Sequence, residues 1–417
     1  MVVLARLLLH VFFVPVYEGP DEPFHLARAM AVAGGEIDSS GQVSSEIVAS
    51  VLAHPCGPDL TRAFGCPAFG GQGAAFNILG KHDVGEDAEP RDNYQAHQPP
   101  LYYLFSGAVL WLLGLPAGSL SPELSLLTLR LIAFLLVGLG LWRPLRTLGT
   151  SHGRWFEGLF LGSLLLPGAA ESLIRVANDA PLFLWSLLVL VALDRGIAAV
   201  WIASLLALGP LLKLTALPVV AFAVVVLWRS RGRIAAVLGM LASLAFVPIQ
   251  LLRGFDRGGV LELNALNGLE ETLAVVVKGI MHSAYTFVKT AAWLGGWSSF
   301  RPPLSVLVTG FVLLIAWAIC SRSKSSGENR FAHAVALVVF AGGFLLFAIG
   351  KRQLFDVWGA VGGWYFWGIV PWVACLFSDQ VRLVPGSQKR LLLASAAWLA
   401  MANGAWFWIS LKLYGLP

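Results

Sequence analysis

The sequence predicts an all-α polytopic membrane protein, and three observations predict it. Apolar residues fill 57% of the 417 positions and charged residues 13%, with a mean hydropathy of +0.74, far from the balance of an average soluble domain. The apolar residues run in long unbroken stretches, without the period-2 alternation of membrane barrel strands, so the spanning elements are helices. Charge is segregated as well. Residues 17–98 hold 12 acidic and 4 basic side chains, a net of −8, which leaves +13 for the rest of a chain whose formal total is +5. Short basic loops stay in the cytoplasm and a long acidic loop is translocated, so the first loop is extracytoplasmic. The net positive charge then marks orientation, and no nucleic-acid partner is implied.

The elements follow in chain order. Residues 2–16 form an apolar run that carries Arg6 and His10 and is short for a bilayer core of roughly 30 Å. The run resembles a signal peptide, yet no small-residue cleavage site follows it, so it is read as a retained first span. Residues 23–34 predict a juxtamembrane helix, with Asp21 at the N-cap, Pro23 in the first turn and Gly34-Gly35 as its stop. Phe24, Ala27, Met30 and Ala31 give that helix a membrane-facing side. Residues 37–93 are rich in Gly, Ser, Asp and Pro and predict irregular structure, in which Cys56 and Cys66 are spaced for a disulfide on the oxidising side. Cys320 and Cys375 fall in apolar runs, as packing residues.

The segment His97-Gln98-Pro99-Pro100-Leu101-Tyr102-Tyr103 opens a further apolar run. Were that run to span, the basic loop holding Arg143, Arg146 and Arg154 would face outward. Residues 99–115 are therefore read as re-entrant, inside a first loop of residues 17–123, and residues 124–142 become the second span. Apolar runs with basic flanks then place spans at 155–174, 181–193, 198–212, 214–228, 234–252, 304–320, 331–349, 364–377 and 391–411. The result is eleven spans, with the N-terminus inside and the C-terminus outside. External loops fall at 253–303 and 350–363, and residues 321–330 form a cytoplasmic linker. The chain divides into a first module, residues 1–252, and a second, residues 253–417.

Two acidic motifs share the external face. Asp21-Glu22 carries His25 one turn later, and Asn178-Asp179 lies between the third and fourth spans. Ionisable side chains at such a boundary are costly unless they pair, line a cavity or do chemistry. Asp21, Glu22, Asp179, His25 and His97 could form one polar pocket. Each also has a purely structural reading: Asp21 and Glu22 can cap and charge a helix start, Asn178-Asp179-Ala180-Pro181 can begin a helix, and His97 can bond within a turn. His25 can pair with a carboxylate one turn before it. Arg130, inside the second span, is read as paired or snorkelling, with a phosphate contact as the sharper alternative. The aromatic run 293–300 reads as an interfacial belt, although sugars also stack on such rings.

The order of these motifs resembles that of the C-type integral-membrane glycosyltransferases (GT-C). Pro20-Asp21-Glu22-Pro23-Phe24-His25 looks like the Pro-Asp-Glu-Pro-x-His signature of a large bacterial family in that superfamily. The likeness covers the first half of the chain well and the second half loosely. It implies a GT-C-like bundle in a bacterial plasma membrane, with residues 1–252 as catalytic module, residues 253–417 as variable module and the site facing the periplasm. It implies a polyprenyl-phosphate-linked sugar as donor, a glycan, lipid or protein hydroxyl as acceptor, and inversion at the anomeric carbon. Asp21 would be the base, Glu22 and Asp179 supporting acids, and His25, His97, Tyr102 and Asn178 would shape the substrate site. Related enzymes carry Arg-Tyr before a late span, whereas this chain has Gly363-Trp364-Tyr365-Phe366, so Lys351, Arg352 and Lys213 become the candidate phosphate ligands. Some relatives use a divalent metal; here Mg²⁺ or Mn²⁺ would fall to Asp21, Glu22 and Asp179. A non-catalytic membrane scaffold would explain the topology but gives no reason for carboxylates clustered on one face, and a transporter or flippase is the remaining reading. It calls for inverted repeats and helices broken or charged at mid-membrane, of which the sequence shows little.

Overall fold

The computed structural model describes residues 1–14, 16–17, 19, 21–36, 42–53, 91–93, 95, 98–114, 120–247, 367–378, 381–383 and 387–414, with scattered positions between 273 and 342. His97, Lys351, Arg352, Cys56, Cys66, Cys320 and the aromatic run 293–300 lie outside the described residues. The described chain is mostly helical. Its helices are α1 (Val2–Phe13), α2 (Glu22–Ala33), α3 (Ser45–Ala53), α4 (Leu101–Leu112), α5 (Pro122–His152), α6 (Arg154–Leu164), α7 (Pro167–Ile174), α8 (Asp179–Asp194), α9 (Ala199–Leu212), α10 (Leu217–Arg231), α11 (Arg233–Leu244), α12 (Val370–Ser378) and α13 (Ser387–Tyr414). Two helices, Pro122–His152 and the Lys389–Trp408 part of α13, are long and apolar enough to cross a membrane; α6 and α7 add a third if the bent pair counts as one span. The apolar helices α1, α4, α9 and α11 are shorter, at 12 to 14 residues.

Several sequence expectations change here. The basic stretch after residue 142 is helix, because α5 continues to His152. Pro144 is buried, and Leu148 extends the apolar stripe one turn beyond it. The end of α5 is held to α8 by hydrogen bonds from Ser151 Oγ to Asp194 Oδ2 (2.8 Å) and from Arg195 Nη2 to Thr147 Oγ1 (3.0 Å). Residues 155–174 do not form one straight span. The helix breaks at Leu165-Leu166 and turns through 73°, since Pro167 has no N–H to continue the ladder and holds Leu166 extended, at φ −61° and ψ 134°. A second break sits at Lys213, whose extended backbone separates α9 from the 3-10 turn Leu214–Ala216. Helix breaks, sparse in the sequence reading, are thus present at two places among the described residues.

The first loop is more ordered than its composition predicts. Helix α3 forms around Ile47 and Val48, each about 1% exposed. Strands β1 (Gln42–Val43) and β2 (Arg91–Asp92) pair antiparallel, and Asn93, Gln95 and Gln98 lie against α2. In the stretch expected as a linker, β3 (Ser321–Ser323) pairs with β4 (Val381–Leu383).

Two cores result. The larger one fills the bundle, where α5, α6, α7, α8, α9 and α10 bury Phe156, Phe160, Phe183, Leu187 and Phe222. Trp367 and Trp372 join it by hydrogen bonds to Ser172 Oγ (2.9 Å) and Ser186 Oγ (2.7 Å). The smaller core lies beneath the first loop and joins α2, α3 and α4 through Phe24, Leu26, Ile47, Tyr103 and Leu110. Gly107 makes the α2–α4 approach possible: a Cβ there would stand 2.6 Å from Val32 Cγ1 and 3.1 Å from Ala29 O. Helix α1 is tied to α7 and to α13. His10 Nε2 lies 3.1 Å from Glu171 Oε2 on α7, and Arg6 Nε donates to Asn403 Oδ1 on α13 (2.8 Å) beneath the Trp406 ring.

Candidate active site

The site forms where the start of α2 meets the α7–α8 corner and the Lys213 break. Asp21 occupies the N-cap position of α2 as the sequence predicts, but its side chain makes no capping bond. Its backbone is left-handed, φ 65° and ψ 4°, a region that Asp visits more readily than most residues. The Asp21 carbonyl starts the helix by accepting from Phe24 N and His25 N, both at 3.1 Å. The carboxylate is therefore turned away from the helix end. It is half-buried and accepts from Gln95 Nε2 at 3.3 Å.

Glu22 next to it has a different environment. Its side chain is fully buried, and both oxygens are used twice. Oε1 accepts from Arg130 Nε (2.8 Å) and Val176 N (3.0 Å); Oε2 accepts from Arg130 Nη2 (2.5 Å) and Gly19 N (3.0 Å). Arg130 Nη1 also donates to Val14 O (2.5 Å). One carboxylate thus ties the end of α1, the first loop, α5 and the α7–α8 corner together. Arg130 is paired, the first of its sequence readings, and a bidentate buried pair of this kind leaves Glu22 little capacity for a substrate.

Asp179 is in the first turn of α8, so Asn178-Asp179 is indeed a helix start. Its Oδ2 meets Arg175 Nη2 and its Oδ1 meets Lys213 Nζ, both at 2.5 Å. Asn178 pins the same corner to the Lys213 break, donating from Nδ2 to Leu212 O (3.0 Å) and to Gln98 Oε1 (3.3 Å). The Asp21 carboxylate is close enough to act electrostatically on both Arg175 and Lys213.

His25 does not take the carboxylate partner expected from helix spacing. Its Nδ1 is 2.6 Å from Tyr103 Oη, and the two rings stack at 5.8 Å with 17° between their planes. Tyr102 meets the His25 ring edge-on at 6.4 Å. Burial holds the imidazole well below its ordinary pKa, the Lys213 and Arg175 cations push the same way, and Asp179 opposes them. Arg28, one turn beyond His25, lies over the other ring, 4.2 Å from the Tyr103 centroid. Its Nη1 donates to Gln95 O (3.1 Å) and Gln98 O (2.6 Å), which ties both residues to α2.

Asp21, Glu22, His25, Tyr102, Asn178, Asp179 and Lys213 thus converge. Sequence reasoning overlooked Arg28, Gln95, Tyr103 and Arg175. Arg175 carried a signal, the i,i+4 spacing to Asp179, and Tyr103 stands inside the quoted His97-to-Tyr103 motif. Among the described residues no three His, Cys, Asp or Glu side chains gather as a metal site. The pairing of Glu22 with Arg130, and of Asp179 with Arg175 and Lys213, does not suit the proposed Mg²⁺ or Mn²⁺ ligand set. Comparison of the chain with family models, with curated proteins and with solved structures returns no match.

Proposed function

We propose that the chain is a GT-C-type glycosyltransferase that moves a sugar from a polyprenyl-phosphate donor to an extracytoplasmic hydroxyl, with inversion. In this reading the eleven-span topology holds, and the site faces the periplasm of a bacterial plasma membrane. The observation that carries the reading is the unequal use of two adjacent carboxylates. Glu22 is saturated by Arg130 and two backbone amides, whereas Asp21 is half-buried, turned from its helix and set beside Arg175, Lys213 and Asp179. Three cations, Arg28, Arg175 and Lys213, stand in this neighbourhood against the carboxylates of Asp21 and Asp179, an excess that suits an anionic ligand.

The chemistry then divides simply. Asp21 takes the proton of the acceptor hydroxyl as its oxygen bonds to the anomeric carbon. The bond from that carbon to the phosphate oxygen breaks, and polyprenyl phosphate leaves with the electron pair, its charge met by Lys213 and Arg175. Glu22 becomes a positioning residue, which revises the supporting-acid role. The test is transfer from radiolabelled polyprenyl-phosphate sugars in membranes bearing Asp21→Asn. Loss of transfer is expected, and transfer at the native rate would remove Asp21 from the mechanism.

A flippase or transporter is the second reading. The 73° break between α6 and α7 and the break at Lys213 favour it, because discontinuous helices are how transporters expose backbone to a substrate at membrane depth. Reconstituted vesicles separate the two: movement of a labelled lipid between leaflets without any glycosyl product supports the transporter.

A further inference from the structure

Tyr103 has no role in the chemistry above, yet it is fully buried, its phenol meets the one ring nitrogen of His25 that is bonded, and Arg28 stacks on its ring. The two partners can share a proton in two ways. Either the phenol donates to Nδ1, which leaves the imidazole proton on Nε2, or Nδ1–H donates to the phenol oxygen, which leaves Nε2 bare. The surroundings select the first. A guanidinium offers donors only, and Arg28 lies beside the phenol, so the phenol oxygen faces a donor and its own proton is directed at the imidazole. Lys213 from the α9 break, Arg175 from the α7–α8 corner and Arg28 from α2 all disfavour an imidazolium, Asp179 of α8 opposes them, and Asp21 stands one turn before His25 at the start of α2. The His25 ring makes no other hydrogen bond among the described residues, so Nε2 is left for a ligand.

We infer that Tyr103 is a positioning residue that fixes His25 as the neutral Nε2–H tautomer, so that His25 donates a hydrogen bond from Nε2 to an anionic oxygen of the substrate and does not serve as a base. The tautomer stands on the geometry of three side chains. The substrate contact rests on the glycosyltransferase reading, in which Asp21 is already the base and the departing phosphate supplies an oxygen that gains charge. The arrangement follows a common device, in which the bond at one imidazole nitrogen decides what the other can do. Arg28 is the third member. Its anchoring to the carbonyls of Gln95 and Gln98 holds the guanidinium over the ring, so the stack cannot slide along α4.

The test uses the full-length protein, purified in detergent with ¹⁵N-labelled histidine, and His25→Gln assigns the His25 resonances. A protonated Nε2 and a bare Nδ1 are expected from pH 8 to pH 5. In Tyr103→Phe, which keeps the ring and removes only the hydroxyl, the tautomers mix and the titration moves toward the ordinary value of about 6.5. A protonated Nδ1 in the native protein, or a Tyr103→Phe spectrum indistinguishable from native, overturns the inference. Transfer assays supply a second arm. Gln places an amide donor where Nε2–H stood and Asn does not, so His25→Gln should keep more activity than His25→Asn by roughly 10- to 100-fold, the worth of one hydrogen bond to a charged oxygen. Equal activity of the two variants removes the donor role. If the native protein transfers no sugar from any donor, the glycosyltransferase reading fails alone, because the spectra still decide the tautomer.

Discussion

Replacing Glu22 by Gln is the sharpest test of how the site is held. The amide is nearly isosteric, so the change is electrical. At either side-chain flip the new NH₂ group takes the place of an oxygen that now accepts two hydrogen bonds: from Arg130 Nε and Val176 N at Oε1, or from Arg130 Nη2 and Gly19 N at Oε2. Two bonds are lost, the NH₂ faces two donors, and Arg130 is left buried without its counter-charge. Breaking one side of a buried ion pair costs about 3–5 kcal/mol, so Glu22→Gln should lower stability by about that much. Asp21→Asn alters a half-buried group that accepts from Gln95 Nε2 at 3.3 Å, and its near-isosteric amide should destabilise by less than Glu22→Gln does. Unfolding of the detergent-solubilised protein, followed by tryptophan fluorescence, compares the two. Arg130→Met completes a double-mutant cycle, in which Glu22→Gln with Arg130→Met should be less damaged than the two losses added. The reasoning is refuted if Asp21→Asn proves the more destabilising of the two, or if the cycle shows no coupling.

Three further perturbations follow from the same contacts. Gly107→Leu puts a side chain into Val32 and the Ala29 carbonyl; it should cost about 1–3 kcal/mol and reduce transfer, and native stability would mean that α2 and α4 are not in contact as described. The His25 imidazole has a native pKa well below that of the unfolded chain, so the unfolded state takes up the proton first as pH falls. The resulting stability is fully present above about pH 6.5 and lost as pH drops toward the native value, and His25→Gln should flatten that part of the pH–stability curve. Asn178→Ala removes the bond to Leu212 O and should cost about 1–3 kcal/mol, measured by the same unfolding assay; no change would show that the Lys213 break is held by other contacts.

How much of this was legible in the sequence depends on the distance over which each feature is decided. Helix starts were readable because they are local: Asp21 does occupy the N-cap position of α2 with Pro23 in its first turn, and Asn178-Asp179 does begin α8. Helix stops were less so. Arg143 and Arg146 looked like a loop because charge and proline usually mark one, but the burial of Pro144 and Leu148 against the bundle kept the helix going. Hydropathy also passed over the break before Pro167, since a bend changes the direction of an apolar run without changing its composition. Helix α3 was missed for the converse reason. Its buried apolar side chains among the described residues, Ile47 and Val48, are too few to impose a period on a loop rich in polar residues.

The site was legible as a list of residue types and illegible as a set of pairs. Asp21, Glu22, His25 and Asp179 were found because carboxylates and histidines are rare at a membrane boundary. What each one does depends on partners 34 to 108 residues away, namely Lys213 for Asp179, Tyr103 for His25 and Arg130 for Glu22. Nothing local separates Asp21 from Glu22, which are neighbours of the same charge at one helix start. The separation comes from geometry. Left-handed Asp21 turns its carboxylate away from the helix, and right-handed Glu22, one residue later, points its own at α5, where Arg130 waits. A membrane interior punishes an unpaired charge, so the carboxylate that reaches the bundle must be the neutralised one. The other carboxylate stays half-buried at the edge, and in the proposed reading the same dipeptide supplies both the anchor and the base.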